Sequence, residues 1–245
     1  MSWLKRLAAA GLVVAGAGVA GVAAAADMPG ELPPPVLSPP PALGLNYGWY
    51  LRGDVGYAWG TLGGARSAAG FSNPIDNSLD SGFLGGIGAG IKSRWLRTDI
   101  TIDYISPLTY KGSVAAPDDT TAKVAALAAL FNGYVDLGTW YNFTPYIGGG
   151  IGAAQMRVSD YASTAAPPFA TGLSKMQYNF AWSLTGGIGY QVAPNIVVDV
   201  NYRYVSFGDV ASARDPFGDM TLKNVAAHEV RFGIRWSFDD LSLIR

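Results

Sequence analysis

The stretch Trp49-Tyr50-Leu51-Arg52-Gly53-Asp54-Val55-Gly56-Tyr57-Ala58-Trp59 decides the fold. Its odd positions are apolar or glycine, and its charges, Arg52 and Asp54, fall on even ones. A repeat of two is the side-chain period of a β-strand, in which successive Cβ atoms point to opposite faces. The segment 196–207 repeats the pattern, with Ile196, Val198, Val200, Tyr202 and Tyr204 against Asp199, Asn201 and Arg203. So does the C-terminal stretch, where Val230, Phe232, Ile234, Trp236 and Phe238 oppose Glu229, Arg231 and Arg235. Segments 97–105 (Ile100, Ile102, Tyr104 against Arg97, Asp99, Thr101, Asp103) and 177–190 read the same way. Three weaker segments, 82–92, 124–137 and 146–159, bring the predicted strands to eight. Ala and Leu in 124–131 favour helix by propensity, but its position between loops, flanked by strands of matching length, predicts a strand.

The connections alternate in length. Long polar or Gly/Ala/Pro-rich stretches (60–81, 107–121, 160–175, 208–224) alternate with short ones (92–95, 138–144, 193–195). Short turns at one end and long loops at the other mark an all-β, eight-stranded antiparallel up-and-down transmembrane barrel with short periplasmic turns and four long extracellular loops. An eight-stranded interior is only just wide enough to be filled by side chains. It has no room for all these tryptophans, tyrosines and isoleucines, so the bulky face points outward and the small and charged face inward. Sliding the strands by one residue would place Arg52, Arg203, Arg231 and Arg235 on lipid, at about 2–4 kcal/mol each near the midplane.

Two sets of candidate residues follow. Inside, Arg52, Arg203, Arg231 and Arg235 are expected to neutralise Asp54, Asp99, Asp103, Asp199 and Glu229, because an unpartnered buried ion costs several kcal/mol. The interior is then neutral and plugged. At the strand ends, Trp49, Trp59, Trp95, Trp140, Tyr141, Tyr190, Tyr204, Trp236 and Phe238 are expected to form aromatic girdles at headgroup level.

Composition narrows the function classes. Across 245 residues the net charge is −1 and only 14% of residues are charged, against about 25% in soluble domains. Nothing suggests a nucleic-acid partner. With no cysteine and the single His228, neither a disulfide framework nor a multi-histidine metal centre is expected, and no cofactor is expected. Residues 1–26 read as a cleaved signal peptide: Lys5 and Arg6, an apolar run, then Ala24-Ala25-Ala26. The alternative is an uncleaved anchor, since the run is long enough to span a bilayer. Residues 27–47 carry Pro29, Pro33, Pro34, Pro35, Pro39, Pro40 and Pro41 and read as an extended periplasmic linker. The barrel then spans 48–238, followed by a tail at 239–245.

Three motifs invite chemistry. The strings Gly85-Gly86-Ile87-Gly88-Ala89-Gly90, Gly148-Gly149-Gly150-Ile151-Gly152 and Gly186-Gly187-Ile188-Gly189 lack the strand-to-helix context and the Lys-Ser/Thr of phosphate loops. They suit close packing where bulky lumenal side chains cross. His228 and Glu229 are adjacent and so point to opposite faces of a strand, which does not suit a base with its orienting group. Asp118, Asp119, Asp215 and Asp219 could form an acidic loop site for Ca²⁺.

The stretches Ala26-Asp27-Met28-Pro29, Gly48 to Gly60, Pro145 to Gly152 and Val230 to Phe238 resemble the small OmpA-like "porin family" outer-membrane proteins of alphaproteobacteria over nearly the whole mature chain. The resemblance implies an eight-stranded barrel in the outer membrane, assembly by the β-barrel insertion machinery, and roles in envelope integrity, adhesion or weak permeability. Two departures stand out: Phe238 is followed by seven further residues, and no peptidoglycan-binding C-terminal domain is expected.

The leading expectation is a non-enzymatic outer-membrane barrel with a structural and surface-interaction role. Its partners would be outer-membrane lipid and lipopolysaccharide, the insertion machinery and an extracellular ligand of the loops. The alternatives are a narrow diffusion channel and, remotely, a lipid-A-modifying enzyme.

Overall fold

The computed structural model describes residues 48–67, 76–115, 118–163, 174–211 and 220–238. The chain forms β1 (Gly48–Thr61), β2 (Gly64–Ser67), β3 (Asp76–Leu79), β4 (Ser81–Ser93), β5 (Leu96–Ala115), β6 (Asp118–Asp136), β7 (Phe143–Ser163), β8 (Lys175–Ala193), β9 (Ile196–Ala211) and β10 (Met220–Phe238). Eight long strands pair antiparallel in chain order, and β1 pairs with both β4 and β10, which closes the sheet. Val55, for example, faces Gly85 on one side and Phe232 on the other. Each of the eight alternating segments lies in a long strand, including 124–131, which is β6. The signal peptide, the Pro-rich linker and the C-terminal tail lie outside the described residues.

The long connections require a correction. Within 107–121, β5 continues to Ala115 and β6 starts at Asp118; within 160–175, β7 reaches Ser163; within 208–224, β9 ends at Ala211 and β10 begins at Met220. The first connection contains β2, paired with β10, and β3, paired with β5. These extensions escape a simple alternation reading because bulges interrupt it. In β5 the register shifts between Ile105 and Leu108, so the inward face passes from Arg97, Asp99, Thr101, Asp103 and Ile105 to Leu108 and Tyr110. In β9 the inward face passes from Phe207 to Val210 across Gly208, whose φ of +70° suits glycine.

The lumen falls into two layers. Towards the end that carries Gly48 and Phe238, its lining is polar: Arg52, Asp54, Arg97, Asp99, Asp103, Asn132, Ser183, Asp199, Asn201, Arg203, Glu229, Arg231 and Arg235 are all buried. Beyond them the lining is apolar, with Ala58, Leu84, Ile105, Leu108, Val124, Leu130, Met156, Val205, Phe207, Val210 and Leu222 in one cluster. The boundary is level in register: the buried pair Arg203 and Glu229 face each other, and the next inward pair is Val205 and Ala227.

The outer face follows the opposite rule. Around the polar layer it is apolar and exposed, with Leu51, Val55, Ile87, Ile100, Ile102, Phe131, Ile151, Leu184, Val200, Phe232 and Ile234 all outward. Around the upper part of the apolar layer, β5 and β6 turn Thr109, Lys111, Thr121 and Lys123 outward. A bilayer needs about 9–11 residues of tilted strand, and β5, β6 and β7 have 20, 19 and 21. Roughly half of each therefore stands clear of the apolar belt.

Candidate functional site: the lumen and its outer belt

Strand alternation delivers every lumenal charge to the same space. Arg52 donates through Nε and Nη2 to the two Asp54 oxygens, at 2.8 and 2.7 Å, and through Nη1 to Asp99 and to the Tyr134 hydroxyl, both at 3.0 Å. Arg203 bridges Glu229 (2.7 Å) and Asp103 (2.9 Å). Arg231 reaches Asp103 at 2.6 Å, Glu229 at 3.3 Å and Asp54 at 3.4 Å, which joins these residues into one network. Arg235 grips Asp199 at 2.5 and 3.2 Å. The nine residues singled out from the sequence thus share one lumen.

Three more belong with them. Arg97 donates to Asp136 at 2.8 Å, and Lys92 approaches the same carboxylate at 3.2 Å. The Arg97 guanidinium lies 4.9 and 4.5 Å from the ring centres of Tyr134 and Tyr146, which meet each other edge to face. Cation–π attraction adds to its ion pair there. The six cations Arg52, Lys92, Arg97, Arg203, Arg231 and Arg235 then meet the six carboxylates of Asp54, Asp99, Asp103, Asp136, Asp199 and Glu229. The formal sum is zero. Arg97 sat on the polar face of its segment, but Lys92 and Asp136 fall at strand ends where the alternation gave no cue.

The glycine strings make room for these side chains. A Cβ on Gly86 would come within 2.0 Å of Asp103 Oδ1, and one on Gly187 within 2.8 Å of the Tyr146 ring. Backbone close to bulky lumenal groups is what these positions supply.

On the outside, Trp49, Trp236 and Phe238 are exposed around the ends of β1 and β10, with Trp236 and Phe238 in ring contact at 5.2 Å. Trp95, Trp140 and Tyr141 occupy turns at that same end, and Tyr190 packs on Phe143 at 4.7 Å. At the other edge of the apolar belt, Trp59 stacks on His228 (5.9 Å, 11°), Tyr204 meets His228 and Trp182, and the Tyr202 hydroxyl lies 2.5 Å from His228 Nδ1. His228 is thus an outward member of an aromatic cluster, while Glu229 is buried in the lumen, so the two do not converge. Of the acidic loop candidates, Asp215 and Asp219 lie outside the described residues, as do the side chains of Asp118 and Asp119.

The chain is similar to several known proteins. An uncharacterized protein of Brucella suis is 28% identical over 257 residues, covering 83% of this chain and 89% of its own length. A Rickettsia conorii protein described as a candidate adhesin is 29% identical over 197 residues, covering 76% and 75%. Among solved structures, the outer membrane protein OprG of Pseudomonas aeruginosa superposes with a TM-score of 0.52 at 14% identity, covering 79% of this chain and 98% of OprG. The family described as the outer membrane protein beta-barrel domain matches residues 12–238, so a closed eight-stranded tube with an apolar belt and an ionic centre belongs, by sequence as well as by form, to that family and resides in the outer membrane.

Proposed function

We propose that this protein is a structural and surface-interaction barrel, not a pore or an enzyme: the belted half anchors it in the outer membrane, and the projecting hairpins present their tips to an extracellular ligand. The observation that carries this reading is the projecting half itself. Strands about twice as long as a bilayer requires, filled by an apolar core of their own, form a rigid pedestal under the connections. Loops held by a rigid scaffold are where binding residues concentrate. The similarity to a Rickettsia protein described as a candidate adhesin points the same way.

A lumen crossed by paired charges and then by packed apolar side chains disfavours free passage of solutes. The divergence of His228 from Glu229 disfavours a hydrolytic pair. Outer-membrane lipid, lipopolysaccharide and the insertion machinery are the partners this role would need.

The test removes the connecting segments 164–173 and 212–219, one at a time and together, and measures cell adhesion and an envelope-stress reporter. Loss of adhesion with unchanged heat-modifiable gel migration is the expected result; barrels that insert normally and leave both readouts untouched would refute the role. Planar-bilayer recordings should show no steady conductance.

A further inference from the structure

Just above the apolar belt, the outward faces of three adjacent strands carry cations: Lys111 on β5, Lys123 on β6 and Arg157 on β7, all exposed. Lys111 faces Thr121 and Lys123 faces Thr109, so the two lysines are diagonal neighbours. Lys123 also faces Ser159, and Arg157 faces Ala125, so these two are diagonal neighbours as well. Diagonal positions on one face lie about 7–8 Å apart, which long side chains span easily. Lys123 meets Asp160 at 2.9 Å in an exposed pair. Lys111 and Arg157 have no ion-pair partner among the described residues. Further round the barrel, on β9, β10 and β1, the upper edge of the belt presents Tyr204, His228 and Trp59.

The surface below the cations changes in steps. Gln155, two residues down β7 from Arg157, donates through Nε2 to the Tyr178 hydroxyl at 2.6 Å. Lower still, Ala129 and Ala153 face each other, both exposed, between Ile102 on β5 and Phe180 on β8, with Leu127 above them and Phe131 facing Ile151 below. From top to bottom the order is positive charge, hydrogen-bonding groups, then exposed apolar surface in the bilayer.

That order complements an amphiphile with a phosphate head, a polar linkage and an acyl chain. We propose that this face binds the phosphorylated glycolipid of the outer leaflet, the lipid A part of lipopolysaccharide. Lys111, Lys123 and Arg157 meet its phosphates, and the exposed apolar surface of Leu127, Phe131, Ile151 and Phe180 below them packs against its chains. The cations stand at the end carrying the long connections, which is the extracellular side, and this selects the outer-leaflet glycolipid over inner-leaflet phospholipid. The proposal does not depend on any role of the loops.

The test titrates the full-length protein in detergent micelles with bisphosphorylated lipid A, dephosphorylated lipid A and phosphatidylglycerol. A cation beside an anionic lipid surface contributes about a fivefold change in affinity. The triple variant Lys111→Gln/Lys123→Gln/Arg157→Gln should therefore bind bisphosphorylated lipid A on the order of a hundredfold more weakly, with heat-modifiable migration intact. Wild type should lose a similar factor on dephosphorylated lipid A. Asp160→Asn, which frees Lys123, should tighten binding about fivefold, a gain that misfolding cannot produce. A folded triple variant that binds as wild type does, equal affinity for the two forms of lipid A, phosphatidylglycerol bound as tightly, or no gain in Asp160→Asn would each overturn the assignment.

Discussion

The two halves of the lumen are built from the same strands by opposite rules. In the lower half the outside is apolar and the inside ionic; in the upper half the inside is apolar and the outside carries Lys111, Lys123 and Thr109. What differs is the solvent beyond the wall. Where acyl chains surround the tube, apolar side chains gain nothing by turning inward, and the limited lumen takes the charges that lipid rejects. Where water surrounds it, ordinary burial of apolar surface at about 25 cal/mol per Å² returns. The lower layer therefore fixes register more than it adds stability, since a buried ion pair roughly breaks even against apolar residues of similar volume. The upper layer supplies stability as any soluble core does.

The sharpest way to break this contrast is to remove one member of a lumenal pair. Arg235→Met leaves Asp199 buried without its partner and should cost about 3–5 kcal/mol, whereas Arg235→Met combined with Asp199→Leu should return to within reach of wild type. Urea unfolding in lipid vesicles reads both; equal losses in the single and double variants would mean that the pair stabilises in its own right. Next in size is a violation of the outer rule: Ile100→Arg, on an exposed belt position of β5, should cost about 2–4 kcal/mol near the midplane. The upper layer should respond like a packed core, with Ile105→Val losing about 0.5–1.5 kcal/mol in the same titration. The smallest effect belongs to the rim. Lys223→Ala removes an exposed pair with Asp209 at 2.6 Å and should change stability by less than about 1 kcal/mol.

The lower half was largely legible in the sequence, because Arg52, Asp54, Asp99, Asp103, Arg203, Glu229 and Arg231 keep one parity through uninterrupted strands. Lys92 read as part of a turn, and Asp136 closed a weak segment, so their pairing with Arg97 could only come from knowing which strand ends meet. The upper half was hidden for a different reason. The shift between Ile105 and Leu108 and the step across Gly208 reverse the phase of the alternation. Leu108, Tyr110 and Val210 therefore looked like loop residues when they line a core. The reversal of solvent compounds this, since a single rule for inside and outside cannot serve both halves.

The junction between β1 and β10 runs from Trp49 opposite Phe238 to Thr61 opposite Ala226, so the earliest strand to be made must wait for the last before the seam is sealed. Until then two raw edges stand open, each a template for pairing with another chain. Arg52 and Asp54 lie on one side of that seam and Glu229 and Arg231 on the other, with Arg231 reaching across to Asp54. Four charges lose part of their neutralisation in an unzipped tube. A message cut short before β10 would leave a gaping, electrically unbalanced ribbon fit only for degradation, not a slightly smaller barrel.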